Sequence, residues 1–248
     1  LNEYPGFIAN TIAFNIPVLL VTKYWGKGIT GLYSKAFFIL YMVVSLVGDS
    51  INRVLHKEVA DMVNDQEEIS EFIDKILKLA ISVSIVPFVV VSVLGPELFG
   101  LFLGERWLLS GVFAQALSVW CFAILINISF LPLYGVLNKQ KQYSLFTILT
   151  LILRILILSY FGIRQTDIVL SIVIFSLVNF IIIMWQSLHI TSIAGVSAIK
   201  TLKFIGNKLL QLSPWIFIIL LIKQISKFTP FMILLIGGIT ILPYIYLI

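Results

Sequence analysis

Apolar residues run along this chain in eight long stretches separated by short polar or Gly/Pro-bearing connections. The stretches are Pro5 to Thr22, Thr30 to Leu55, Phe72 to Leu94, Gly111 to Leu137, Tyr143 to Gly162, Asp167 to Leu188, Leu209 to Ile222 and Pro230 to Leu247. A helix needs roughly 20 apolar residues to cross the hydrocarbon core of a bilayer, so the seventh and eighth stretches are short and open to being tilted or interfacial. The runs lack the sustained two-residue alternation of barrel strands. Helices also satisfy their own backbone hydrogen bonds in lipid. The pattern predicts an all-α polytopic membrane bundle of about eight transmembrane helices.

Two segments are amphipathic instead. Ile69, Phe72, Ile73, Ile76 and Leu77 recur at three- and four-residue steps, which predicts a helix entering the third span. Around it lie eight acidic residues: Asp49, Glu58, Asp61, Asp65, Glu67, Glu68, Glu71 and Asp74. They read as a solvated elbow between two spans. In the stretch from Ile199 to Leu209, Lys200, Lys203 and Lys208 alternate with Leu202, Phe204 and Ile205, a pattern suited to a helix lying among anionic head groups.

Composition agrees with the pattern. Of 248 residues, 60% are hydrophobic and only 12% charged, where soluble domains average about 25% charged; mean hydropathy is +1.06. An ordinary soluble enzyme or nucleic-acid module is excluded despite the net charge of +5, because so much apolar surface would have nowhere to hide. The single Cys121 excludes an intramolecular disulfide framework and a cysteine-based metal cluster. The chain opens at Leu1 directly on its first apolar run, with no basic leader, and reads as an excerpt of a longer one.

Lys and Arg set the expected orientation. The connections after spans two, four and six carry Arg53, Lys57, Lys75, Lys78, Lys139, Lys141, Lys200, Lys203 and Lys208, nine residues. The other side carries six: Lys23, Lys27, Arg106, Arg164, Lys223 and Lys227. The richer side is expected in the cytoplasm, which would put both ends of this chain there too.

Arg154 is the most informative single residue. It sits eleven positions after Tyr143 and eight before Gly162, on the order of 12 Å from the nearer end of its span. An unpaired arginine at mid-bilayer costs about 2.5–3.5 kcal/mol on insertion scales. It should therefore face a watery cavity or a partner inside the bundle. One reading is capture of an anionic head group, since guanidinium grips phosphate oxygens through parallel hydrogen bonds; the other is a structural pair with a carboxylate or carbonyl.

The second span carries Lys35, Asp49 and Arg53 on one stripe, Asp49 about 40° from Lys35 and Arg53 almost in line with it at 100° per residue. Asp49 and Arg53 are four apart and could pair; Lys35 could snorkel to the outer interface. Tyr4, Thr11, Asn15 and Thr22 share a face of the first span, where Pro17 interrupts the hydrogen-bond ladder. Such a face could line a cavity or glue helices together. Asn179 and Gln186 share a face of the sixth span, whereas Gln115 and Asn127 do not share one in the fourth. Pro87, Pro132 and Pro243 are expected to kink their helices. His56 and His189 are too isolated for a metal site. No phosphate-cradling P-loop, HExxH pair or Gly-x-Ser-x-Gly elbow is present, so no catalysis and no cofactor are expected.

Three strings carry a resemblance. Gly31 to Ala36 (GLYSKA) with Ser45 to Val54 (SLVGDSINRV), Gly95 to Trp107 (GPELFGLFLGERW) and Gly135 to Gln140 (GVLNKQ) together resemble the C-terminal half of Wzx-like polysaccharide flippases. These belong to the multidrug/oligosaccharidyl-lipid/polysaccharide exporter superfamily. The resemblance implies a six-helix transporter lobe over residues 1–192, and an amphipathic linker with an extra helical pair over 193–248. It implies a missing N-terminal lobe of the same chain as partner, and as substrate a membrane lipid-linked oligosaccharide such as an O-antigen unit on polyprenyl pyrophosphate. Nucleic acid is not an expected partner. By the same resemblance Lys35 and Arg154, with Thr11 and Asn15 of the polar face, would bind substrate. Asp49, which departs from a small or neutral polar residue, would serve with Arg53 as an ion-coupling site or a structural pair. The competing readings are a multidrug exporter of the same superfamily, which the basic surplus disfavours, and a membrane glycosyltransferase or polymerase, which would need an acidic catalytic residue and a large extramembrane loop. A structural membrane subunit without transport is the third.

Overall fold

A computed structural model gives the fold. It describes the backbone of residues 4–66, 68–224 and 230–246, and side chains over 12–66, 68–223 and 231–241. Among the described residues the chain is helical without strands: α1 (Tyr4–Asn64), α2 (Ser70–Leu103), a 3₁₀ turn (Glu105–Trp107), α3 (Leu108–Phe130), α4 (Pro132–Val136), α5 (Gln140–Ile163), α6 (Ile168–Ile193), α7 (Ala198–Gln224) and α8 (Pro230–Tyr246).

Helix α1 carries the first two predicted spans, as a hairpin. Gly26 breaks it, with φ 85° and ψ 167°, a conformation open to glycine at little cost. Phe14 and Tyr41 have ring centroids 5.7 Å apart, whereas 27 residues of straight helix would separate them by about 40 Å. The Thr30 hydroxyl donates to that of Thr22 across the turn at 3.0 Å. Trp25 Nε1 donates to the Thr166 carbonyl at 3.1 Å, pinning the turn to the α5–α6 connection. Among the described residues six helical runs, α1 through this hairpin among them, are long and apolar enough to cross a membrane. α8 is shorter, at 17 residues.

The third span and its acidic elbow fall as the periodicity predicts. Ile73 and Leu77 are buried, while Glu71–Lys75 and Asp74–Lys78 form four-residue pairs on the outer face. Two details differ. The Gly95-to-Trp107 string, which the apolar runs leave as a connection between the third and fourth spans, is mostly helix, since α2 runs on to Leu103. The break in α2 falls at Leu94 (φ −112°, ψ 16°), just before Pro96 and not at Pro87. Pro96 leaves the Ser92 carbonyl without a helical donor, and Gln115 Nε2 supplies one at 3.1 Å. Pro132 does interrupt its helix, opening α4 after Leu131; the side chain of Pro243 lies outside the described residues.

Helix α3 is the centre of the bundle. It packs on α1, α2 and α6, with Phe113, Leu117, Trp120, Cys121 and Leu125 fully enclosed. Helices α7 and α8 pack on each other and on α2, and Trp215 Nε1 donates to the Gly237 carbonyl at 3.1 Å. The predicted head-group helix at 199–209 is not a separate element: α7 continues unbroken from Ala198 through the seventh span. Lys200 and Lys203 are exposed, but Lys208 is buried with its ammonium 5.5 Å over the Phe204 ring. Its aliphatic stem lets it pack where a shorter cation would not.

Candidate functional site

Helix α5 presents Tyr143, Thr147, Thr150 and Arg154 at steps of four, three and four residues, hence along one face. The threonines turn their hydroxyls back onto their own helix, Thr147 to the Tyr143 carbonyl at 2.9 Å and Thr150 to the Phe146 carbonyl at 2.7 Å. This face borders a cavity of about 230 Å³ between both arms of α1, α3, α5 and α6. Other polar groups on its wall are Tyr41, Asp49, Asn52, Asn127 and Gln186. A second cavity of about 350 Å³ adjoins it, sharing Asn52, Leu131 and Tyr143, and includes His56, Gly135, Gln140 and Ser144. The polar stripe thus leads from the α4–α5 connection, on the side carrying Lys139 and Lys141, inward to Arg154.

Arg154 is 2% exposed. Its Nε donates to Asn179 Oδ1 at 2.7 Å and its Nη1 to the Ala13 carbonyl at 2.6 Å. The guanidinium lies 4.9 Å from the Trp120 ring centroid and 5.4 Å from that of Phe14. Asn179 is itself oriented by donating to the Phe175 carbonyl at 2.8 Å. Neutral dipoles and aromatic faces therefore hold the cation, and among the described residues it forms no ion pair. Its hydrogen bonds engage two of the five N–H groups a guanidinium carries.

The other sequence candidates separate. Asp49 lines the cavity, but it forms no ion pair with Arg53, although the spacing allowed one; both are exposed. Asn52, one turn beyond Asp49, reaches across to the Ile128 carbonyl instead. Lys35 does not line the cavity: it is half-buried near the other end of the bundle, its ammonium 5.5 Å over Trp107. The stripe joining Lys35, Asp49 and Arg53 is thus divided, because the hairpin arm passes two different neighbours along its length. From the first arm, Ala13 and Phe14 border the cavity, while Asn15 is exposed and lies outside its lining. Thr22 belongs to the hairpin turn, and the Thr11 side chain lies outside the described residues. Asn179 and Gln186 do share a buried face, one holding Arg154 and the other lining the cavity. The hydroxyl stripe of α5 escaped the sequence reading, although its 4-3-4 spacing was there to be seen; Arg154 drew attention alone.

Residues 6–111 match the family model described as polysaccharide biosynthesis protein. The matched stretch includes both arms of α1 and all of α2, with Asp49 and Asn52 of the cavity wall but not Arg154. No curated protein and no solved structure matches the chain. With six helices among the described residues long and apolar enough to cross a bilayer, the match points to a multi-pass membrane protein with a role in polysaccharide biosynthesis.

Proposed function

We propose that this chain is one lobe of an alternating-access flippase for oligosaccharides carried on polyprenyl pyrophosphate. Arg154 receives the pyrophosphate, and the Tyr143–Thr147–Thr150 stripe gives the head group polar footing on its way in. The observation that carries this reading is a guanidinium deep in a bundle of apolar helices, bordering a polar cavity and held by neutral partners. A cation placed so is costly unless an anion or water meets it, and a bidentate phosphate fits its planar fork. The polysaccharide-biosynthesis match over residues 6–111 supports the substrate class.

In this reading a second lobe of the same chain closes the cavity, and the two rock about a substrate held between them. The protein sits in the plasma membrane with both ends of this segment cytoplasmic, so the mouth beside Gly135 and Gln140 faces the side where the glycolipid is made. No covalent bond of the substrate changes, so the protein acts as a carrier and not as an enzyme. Asp49, on the same cavity wall and without an ion pair to Arg53, is the ion-coupling carboxylate.

The test is translocation of a fluorescent polyprenyl-pyrophosphate glycan by the full-length protein in liposomes. The wild type exposes the glycan to an outside quencher, and Arg154→Ala at equal incorporation does not. Wild-type translocation by Arg154→Ala would remove Arg154 from the site.

A further inference from the structure

Proline has no N–H, so Pro17 leaves the carbonyl of Ala13, four residues earlier, without its helical donor. That carbonyl is the one Arg154 Nη1 bonds at 2.6 Å. Both Ala13 and Pro17 are buried, so the oxygen has little bulk water to turn to. A defect in the first arm of α1 is thereby mended from α5, by the same group that borders the cavity.

Other proline-freed carbonyls are mended differently. Gln115 serves Ser92 ahead of Pro96, Asn52 serves Ile128 ahead of Pro132, and Ser213 serves Leu210 ahead of Pro214 from within its own helix. Those donors are neutral amides and a hydroxyl. At Ala13 the donor is a cation on the cavity wall, and a phosphate outcompetes a carbonyl for it because it adds charge–charge attraction and accepts from two N–H groups of the guanidinium at once.

We propose that the Arg154–Ala13 contact is an anion-released latch: a phosphate oxygen arriving at Arg154 displaces the Ala13 carbonyl, and the first arm of α1 then bends at Pro17. The proposal rests on the reading of Arg154 as the pyrophosphate receptor, and adds that the same residue reports occupancy to a helix. Freed of its donor, the Ala13 oxygen gains by tilting toward cavity water, and tilting carbonyls outward is how helices curve.

The experiment uses full-length protein in nanodiscs, inorganic pyrophosphate as the probe, and nitroxides at Ile12→Cys and Leu46→Cys in a Cys121→Ala background. Ile12 and Leu46 are exposed and lie on opposite arms of α1. Pyrophosphate is expected to bind the otherwise wild-type chain and to change the distance between labels. Pro17→Ala restores an N–H to residue 17 and removes a helix breaker, so folding is not at risk. With the carbonyl no longer competing, it should bind pyrophosphate roughly tenfold more tightly and show no distance change. An unchanged affinity or a retained distance change in Pro17→Ala, with binding otherwise intact, overturns the latch alone. Absence of pyrophosphate binding to the otherwise wild-type chain, or full binding by Arg154→Gln, overturns the receptor reading and the latch with it.

Discussion

The side-chain amide of Asn52 lies 2.7 Å from the backbone oxygen of Ile128 and donates to it. Pro132 cannot bond that oxygen, and the nearer N–H of Leu131 reaches it only at 3.4 Å. One neutral side chain of α1 therefore fixes the joint between α3 and α4, at the place where the two cavities meet. Arg154 does the equivalent for Ala13 one layer deeper. The cavity wall is built in part from helix defects that neighbouring helices repair.

Replacing Asn52 by Leu removes that donor and should lower stability by about 1–2 kcal/mol. Adding Pro132→Ala returns a backbone N–H to the same oxygen, since Leu131 already has helical angles (φ −52°, ψ −38°). The double variant should recover most of the loss, read as the midpoint of thermal unfolding in detergent. Simple additivity of the two changes would show that the amide acts elsewhere.

Gly95 and Gly111 bring α2 and α3 into backbone contact. A methyl group at Gly111 would meet the Gly95 carbonyl and the Pro96 Cα at 2.5 Å, and backbone cannot swing aside as a side chain can. Gly111→Ala should cost on the order of 2–3 kcal/mol. Gly135→Ala, where nothing lies within 4 Å, should unfold close to the wild-type temperature. Comparable unfolding temperatures for the two variants would contradict the close approach.

Lys223 joins α7 to the broken part of α2, pairing with Glu97 at 2.8 Å and donating to the Val93 carbonyl at 2.9 Å. The pair is largely shielded, and among the described residues Glu97 Oε2 has no hydrogen-bond partner. Lys223→Met strands the carboxylate and should cost about 2 kcal/mol after allowance for partial exposure. Lys223→Met with Glu97→Leu should restore much of it, because removing both charges removes the desolvation cost. A double-mutant cycle on thermal unfolding measures the coupling.

Lys35 rests over Trp107, away from Arg154. Its loss should weaken a cation–π contact worth about 0.5–1 kcal/mol and leave liposome translocation within about twofold of wild type, a change of under 0.5 kcal/mol in barrier. Trp107→Leu should match it in stability. Abolished translocation in Lys35→Ala at full stability would return Lys35 to the substrate path.

Asp49→Asn keeps the shape of the cavity wall and removes its carboxylate. As the coupling residue, it should leave pyrophosphate binding in place while translocation stops responding to an imposed proton or sodium gradient. An undiminished gradient response in the variant places coupling elsewhere.

The order of the helices was legible in the apolar runs, because a lipid-spanning segment must be long, continuous and self-bonded; their ends were not, since α2 runs on to Leu103 and α7 begins at Ala198. The buried position of Arg154 was legible too, since a lone guanidinium in such a run has few places to go. The local sequence could not say which neighbour would meet each polar face. Wheel angles put Lys35, Asp49 and Arg53 on one stripe, yet only Asp49 reaches the cavity, because a face takes its meaning from the helix packed against it at that height. Pro17 announced a missing hydrogen bond. That Arg154, 137 positions later in the sequence, would make it good was decided only when the Gly26 hairpin laid the first arm of α1 along α5.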